Sequence, residues 1–189
     1  THYPVFHQLD GVRLFRRDAE PHTVEHVVAD MQRALEGMIR EIFGQVKLRW
    51  VDAYFPFTHP SFELEIWYRD QWLEVLGCGM MRQEIVDGGG QRDCVGWAFG
   101  IGLERIAMAL YAVPDIRMFW SDDARFLRQF ANHKQQPNIT FKPYSKFPPV
   151  WHDVSFWVAD AFHVNKMHEL VRDIAGDLIE EVAQTDSFK

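Results

Sequence analysis

A chain of 189 residues, 47% hydrophobic and 25% charged, carries enough apolar material for one domain and part of a second. Its formal charge of -7 argues against a general nucleic-acid binder, which needs clustered Lys and Arg, so any RNA contact must be local. Cys78 and Cys94 form no CxxC pair, which argues against a disulfide framework or a structural zinc site, and no stretch is apolar and long enough to span a membrane.

From Phe6 to Phe15 a period of two puts Gln8 and Asp10 on one strand face and Leu9 on the other. Two polar groups so placed are either a grip for an ammonium group or the wet side of an edge strand. Phe6 is either core or a flat platform for a planar ligand. Arg13, Arg16 and Arg17 make one candidate basic patch, and Lys134, Lys142 and Lys146 another. Either patch is an RNA contact or a solvated face. His22 and His26 have the i, i+4 spacing of metal ligands but no third ligand, and read as surface residues near a helix start.

Val24, Val27, Val28, Met31, Leu35, Met38, Ile39, Ile42 and Phe43 share one face of a helix that Thr23 caps and Gly44 ends. Its role is to cover the sheet. Val46 to Tyr54 reads as a strand and leads to Phe55-Pro56-Phe57, where Pro56 favours an extended chain and keeps the two rings on one side. Such a pair is a slot for a third ring or two core phenylalanines. Phe62, Leu64 and Ile66 alternate with Glu63 and Glu65. Arg69-Asp70-Gln71 then turns the chain into Trp72 to Met80, an antiparallel hairpin. Glu74 is a carboxylate in an otherwise apolar strand and needs a cation: Arg105, another arginine, or a magnesium ion brought with phosphates. Gly88-Gly89-Gly90 reads as a flexible loop without the lysine of a phosphate-binding loop.

In Gly96-Trp97-Ala98-Phe99-Gly100-Ile101-Gly102-Leu103-Glu104-Arg105 every second strand residue is Gly or Ala. One face is therefore bare, while Trp97, Phe99, Ile101 and Leu103 pack on the other. After Gly102 the period becomes helical, with Leu103, Ile106, Ala107, Leu110 and Tyr111 on one stripe and Arg105 in the first turn. A bare shelf for a ring beside a cation suggests a nucleotide; close helix-on-strand packing is the other reading. From Pro114 the sheet pattern stops, and Pro137 to Pro149 reads as a linker. Val154, Phe156 and Val158 then alternate as a strand, and Met167, Leu170, Val171, Ile174, Leu178 and Val182 make an amphipathic helix with Asn165 as its cap.

The stretch Gly96 to Arg105 resembles the third signature motif of class II aminoacyl-tRNA synthetases. Three neighbours narrow the likeness to the phenylalanyl branch: THYPVFHQLDGVRLF, YFPFTHPSFELEI and WLEVLGCGMM resemble the second half of motif 2, the amino-acid pocket segment and the strand before motif 3. Asn138 to Lys189 resembles the start of the anticodon-binding domain of single-chain, mitochondrial-type enzymes. The resemblance implies an α+β fold, a mostly antiparallel sheet flanked by helices and followed by a partial ferredoxin-like domain. It divides the chain into a catalytic part at 1–118, a connector at 119–149 and an anticodon-binding part at 150–189.

It further implies ligation of L-phenylalanine to tRNA(Phe) with ATP and Mg2+. Arg105 and Glu74 are then catalytic, with Glu74 also on the metal. Phe6, Glu74, Gly102 and Arg105 hold ATP. Gln8, Asp10, Phe55, Phe57, Ala98 and Gly100 hold phenylalanine, Asp10 standing where the family usually has Glu. A monomer in the mitochondrial matrix, with no membrane partner, is expected. The chain is expected to be an internal piece, lacking motif 1 and the arginine of motif 2. The alternatives are an inert fragment and a synthetase-derived tRNA- or nucleotide-binding module.

Overall fold

Among the described residues strand-forming alternation is realised five times, in β1 (Gln8–Arg16), β2 (Leu48–Ala53), β3 (Thr58–Tyr68), β4 (Gln71–Met81) and β5 (Cys94–Gly102). All neighbours pair antiparallel, in the order β1-β5-β4-β3-β2. The computed structural model describes residues 3–18, 23–131, 139–145, 147–148 and 150–187. It divides into two units, Thr1–Tyr144 and Ser145–Lys189.

In the first unit α1 (Val24–Phe43) lies across one face of the sheet. The Thr23 hydroxyl accepts from the His26 amide at 3.3 Å, and Gly44 takes φ 75 to end the helix. Val27, Met31, Leu35 and Ile39 are buried against Leu64 and Ile66 of β3, Leu76 and Cys78 of β4, and Trp97 and Ile101 of β5. One acid sits among them. Asp30 is buried and accepts from Trp97 Nε1 at 2.9 Å, with Arg13 at 3.1 Å and Arg33 at 2.7 Å completing its shell, so helix and sheet are tied by charge as well as packing.

β3 and β4 join through Arg69 and Asp70, both at positive φ (50 and 62), the handedness that matches strand twist in two-residue hairpins. Gln71, expected in the turn, instead opens β4 opposite Tyr68. The three glycines are not an open loop either. Gly88 ends α2 (Gln83–Gly88), Gly89 caps it, and Gly90 reverses the chain at φ 79. After β5, α3 (Leu103–Tyr111) begins at once. Ile106 is buried as expected but Leu103 is 44% exposed, because the strand phase ends at Gly102 and the first helical position turns outward. A 3-10 turn (Ile116–Trp120) and α4 (Ala124–Phe130) follow, with the buried Phe126 ringed by Phe119, Phe130 and Phe141.

The second unit contains α5 (Val164–Ala175). Its cap is His163, whose Nδ1 accepts from the Asn165 amide at 3.2 Å; Asn165 is a donor in the first turn rather than the cap. Gly176, at φ 51, stops the helix, which leaves Leu178 in a 3-10 turn and Val182 beyond it. The strand expected over Val154, Phe156 and Val158 is not formed. Alternation makes a strand only with a ladder partner, and this unit has no other strand among the described residues. Of the strand-then-helix start of a ferredoxin-like domain, only the helix is present.

Candidate active site

Directly opposed residues of antiparallel strands share a face. On the face away from α1 the register therefore runs in rows. Asp10 faces Gly100, Gly100 faces Gly77, and Gly77 faces Glu63; in the next row Val12 faces Ala98, Ala98 faces Gly79, and Gly79 faces Ser61. The four central positions are Gly or Ala, so the sheet offers a nearly flat floor. A cleft of about 710 Å³ stands on it, and every site residue expected from the sequence borders that cleft.

At one end Gln8 donates from Nε2 to Asp10 Oδ1 at 2.9 Å, both side chains reaching over Gly100. A Cβ on Gly100 would come within 2.5 Å of Gln8 Nε2 and 2.8 Å of Asp10 Oδ1, so the bare position is what lets this polar pair settle on the floor. The Phe55 ring covers Gly77, where a Cβ would meet its Cζ at 2.7 Å. Phe57 lies near-parallel to Phe55 with centroids 6.0 Å apart. The two rings stack on each other, which leaves no slot for a third ring between them. Phe6, 55% exposed, precedes β1 and borders the cleft, and Gly102 has no atom within 4 Å of a built Cβ.

Arg105, in the first turn of α3, points back to the floor and donates to Glu74 Oε2 at 2.9 Å and to the Glu74 carbonyl oxygen at 3.3 Å. Glu74 thus has its cation within the chain. Both side chains stay nearly half exposed, at 47% and 44%, so the pair is accessible from the cleft. Glu63 is the third charge here. Burial, and then the nearby Glu74 and Glu65, push its carboxyl above the ordinary range against the pull of Arg105.

The model of the family described as "tRNA synthetases class II core domain (F)" matches residues 1–130. The chain belongs to the class II tRNA synthetases. Over its whole length it is 51% identical to "Phenylalanine--tRNA ligase, chloroplastic/mitochondrial" of Arabidopsis thaliana, covering 44% of that protein. It is 45% identical to the mitochondrial phenylalanine--tRNA ligase of Mus musculus, covering 48%, and 34% identical to that of Saccharomyces cerevisiae, covering 55%. The chain spans about half the length of these curated relatives.

Other expectations fall outside the site of this synthetase core. Arg13 is committed to Asp30 on the opposite face, Arg16 pairs with Asp18 at 2.7 Å, and Arg17 donates to Gln83 Oε1 at 2.6 Å. Lys134, Lys146 and His22 lie outside the described residues, while Lys142 is exposed. His26 meets the Phe15 ring edge-on at 6.3 Å. Among the described residues no three His, Cys, Asp or Glu side chains are grouped to hold a metal, and no helix is long and apolar enough to cross a membrane. Burial pushes the Cys78 thiol up to about 12, which removes it as a nucleophile.

Two site residues escape sequence reasoning. Glu63 looks like the polar half of an alternating strand, and only the register puts it in a row with Gly77 and Gly100. Glu104 looks like an ordinary acid in a first helical turn, yet it is buried and bonded to His7. Burial raises its carboxyl, and the His7 hydrogen bonds more than offset this, holding it below the usual value.

Proposed function

We propose that this chain forms the amino-acid activation site of a phenylalanine--tRNA ligase. In the complete protein a carboxylate oxygen of L-phenylalanine attacks the α-phosphorus of ATP and pyrophosphate leaves. A terminal ribose hydroxyl of tRNA(Phe) then attacks the carbonyl of phenylalanyl-adenylate, and AMP leaves with the bonding electron pair. No covalent bond to the protein is needed, so the residues act by positioning and by charge stabilisation.

The observation that carries this reading is the flat Gly/Ala floor with a polar pair, a ring pair and Arg105 arranged around one cleft. The amino acid lies with its ring against Phe55 and Phe57 over Ala98 and Gly100, where edge and face contacts contribute about 0.5–1.5 kcal/mol beyond area burial. Its ammonium faces Gln8 and Asp10. The adenine stacks on Phe6 above Gly102, and Arg105 takes the γ-phosphate, exchanging part of its contact with Glu74. Glu74, its carboxylate nearly half exposed to the cleft, would offer one hard oxygen ligand to a magnesium ion carried by ATP. That ion neutralises phosphate charge when bound.

The names of the relatives support mitochondrial residence for the complete protein, and a monomer accords with the single-chain type. The same reading assigns residues 1–118 to the catalytic domain, 119–149 to a connector and 150–189 to the start of an anticodon-binding domain.

The test is phenylalanine-dependent exchange of pyrophosphate into ATP by the full natural chain. Exchange with phenylalanine, lost about a hundredfold or more in Arg105→Ala, is expected. A folded protein that supports exchange with no amino acid overturns the reading in favour of a binding module.

A further inference from the structure

The nucleotide end of the proposed site is made of two pieces that the ladder alone does not join. Phe6 precedes β1, outside the last paired position, Gln8 opposite Gly102. Arg105 lies on α3, past the end of β5. Glu104, the residue before Arg105, connects them. Its side chain is 7% exposed; its two oxygens each accept from the His7 amide at 2.9 Å, and Oε1 lies 2.6 Å from His7 Nδ1. The Leu103 amide donates to the His7 carbonyl at 2.9 Å, so the first turn of α3 holds both backbone groups of His7. The imidazole stacks at 6.2 Å and 14° on Trp120, which Tyr3 in turn contacts at 4.8 Å.

A carboxylate buried this deeply is costly unless hydrogen-bonded. Glu104 directs these bonds at one residue, the one between the expected adenine platform and the expected ammonium ligand. We propose that Glu104 is a positioning residue for the nucleotide: by anchoring His7 it fixes Phe6 relative to Arg105, so that the adenine platform and the phosphate cation keep one spacing. This rests on the activation reading above. It gives Glu104 a selective effect. Phe55, Phe57 and Ala98 belong to other segments, and Gln8 and Asp10 are held by their pairing with Gly102 and Gly100, whereas Phe6 has no ladder bond of its own.

The experiment is pyrophosphate exchange by the full natural chain, with KM for ATP and for phenylalanine measured separately and folding checked by thermal melts. Glu104→Ala raises KM for ATP about tenfold or more and leaves KM for phenylalanine within about threefold, as expected when one part of a bound substrate loses its alignment. Glu104→Asp keeps the charge but is one methylene too short to reach His7, and behaves like the alanine variant; it decides the matter where Glu104→Ala does not fold. Glu104→Gln keeps the reach and one acceptor for the amide, and returns KM for ATP to within about threefold of the original.

A wild-type KM for ATP in both short variants, or equal rises for the two substrates, overturns the proposal while exchange by the unaltered protein upholds the activation reading. No exchange by the unaltered protein removes both.

Discussion

The two faces of the one sheet carry opposite side-chain volumes. Toward α1 the strands present Leu64, Ile66, Leu76, Cys78, Trp97 and Ile101, all buried, and Asp30 is held by three donors. Toward the cleft the same strands present Gly77, Gly79, Ala98 and Gly100, interleaved along the chain with the core residues. Stability is concentrated on one face and room for a ligand on the other. A substitution on the first therefore reads out in folding, and one on the second in substrate use.

The sharpest way to break that division is Leu35→Ala on the packed face. With 2% of the side chain exposed, its loss costs about 2–5 kcal/mol by denaturant unfolding while leaving KM values of the remaining folded protein unchanged. A cost below about 1 kcal/mol would mean that α1 does not carry the core.

Three glycines on the bare face grade the comparison. At Gly96 a Cβ would meet the Arg13 carbonyl oxygen at 2.1 Å, a backbone contact that cannot swing aside, and Gly96→Ala costs about 1–3 kcal/mol in unfolding measurements. At Gly100 the atoms met are the ends of Gln8 and Asp10, so Gly100→Ala melts near the original temperature but raises KM for phenylalanine. At Gly102 nothing lies within 4 Å, and Gly102→Ala leaves the fold intact. Equal losses of stability at all three would contradict a floor kept bare for a ligand.

Ala98→Gly enlarges the floor beside the ring pair. Exchange assays with para-substituted phenylalanines should show a wider substrate range at a stability cost of about 0.5–1 kcal/mol, the usual penalty of glycine in a strand. An unchanged range removes Ala98 from the pocket.

The smallest effect is electrostatic. Glu63 has a folded pKa above its unfolded one, so the fold favours its protonated form; that advantage is complete below the ordinary carboxylate range, about 4.3, and is lost as pH rises through the folded value. Glu63→Gln should therefore raise the melting temperature at pH 7, and the gain should vanish near pH 4. A gain independent of pH would point to packing instead.

Elements with a strong local period were legible in the sequence. α1 is bounded by the two residues that signal its ends, Thr23 and Gly44, and the Gly/Ala alternation of β5 announces its bare face. The side chains that the resemblance implied for the site border one cleft because the strand register lines up their segments on one face, which their local spacing alone left open. What escaped depends on partners far along the chain. Glu104 meets His7 across 97 residues, and Asp30 meets Trp97 across 67. Neither pairing leaves a trace in local spacing, which is also why Arg13 looked like part of a surface patch. Val154 to Val158 failed in the opposite way, with a strand's alternation but no partner strand in its unit among the described residues.

The most direct test of the bare face is a crystal structure of the full natural chain with a non-hydrolysable phenylalanyl-adenylate analogue. The ring is expected against Phe55 and Phe57 above Ala98, the ammonium at Gln8 and Asp10, and the adenine on Phe6, with α1 unmoved. An analogue bound away from the Gly77–Gly100 floor would contradict it.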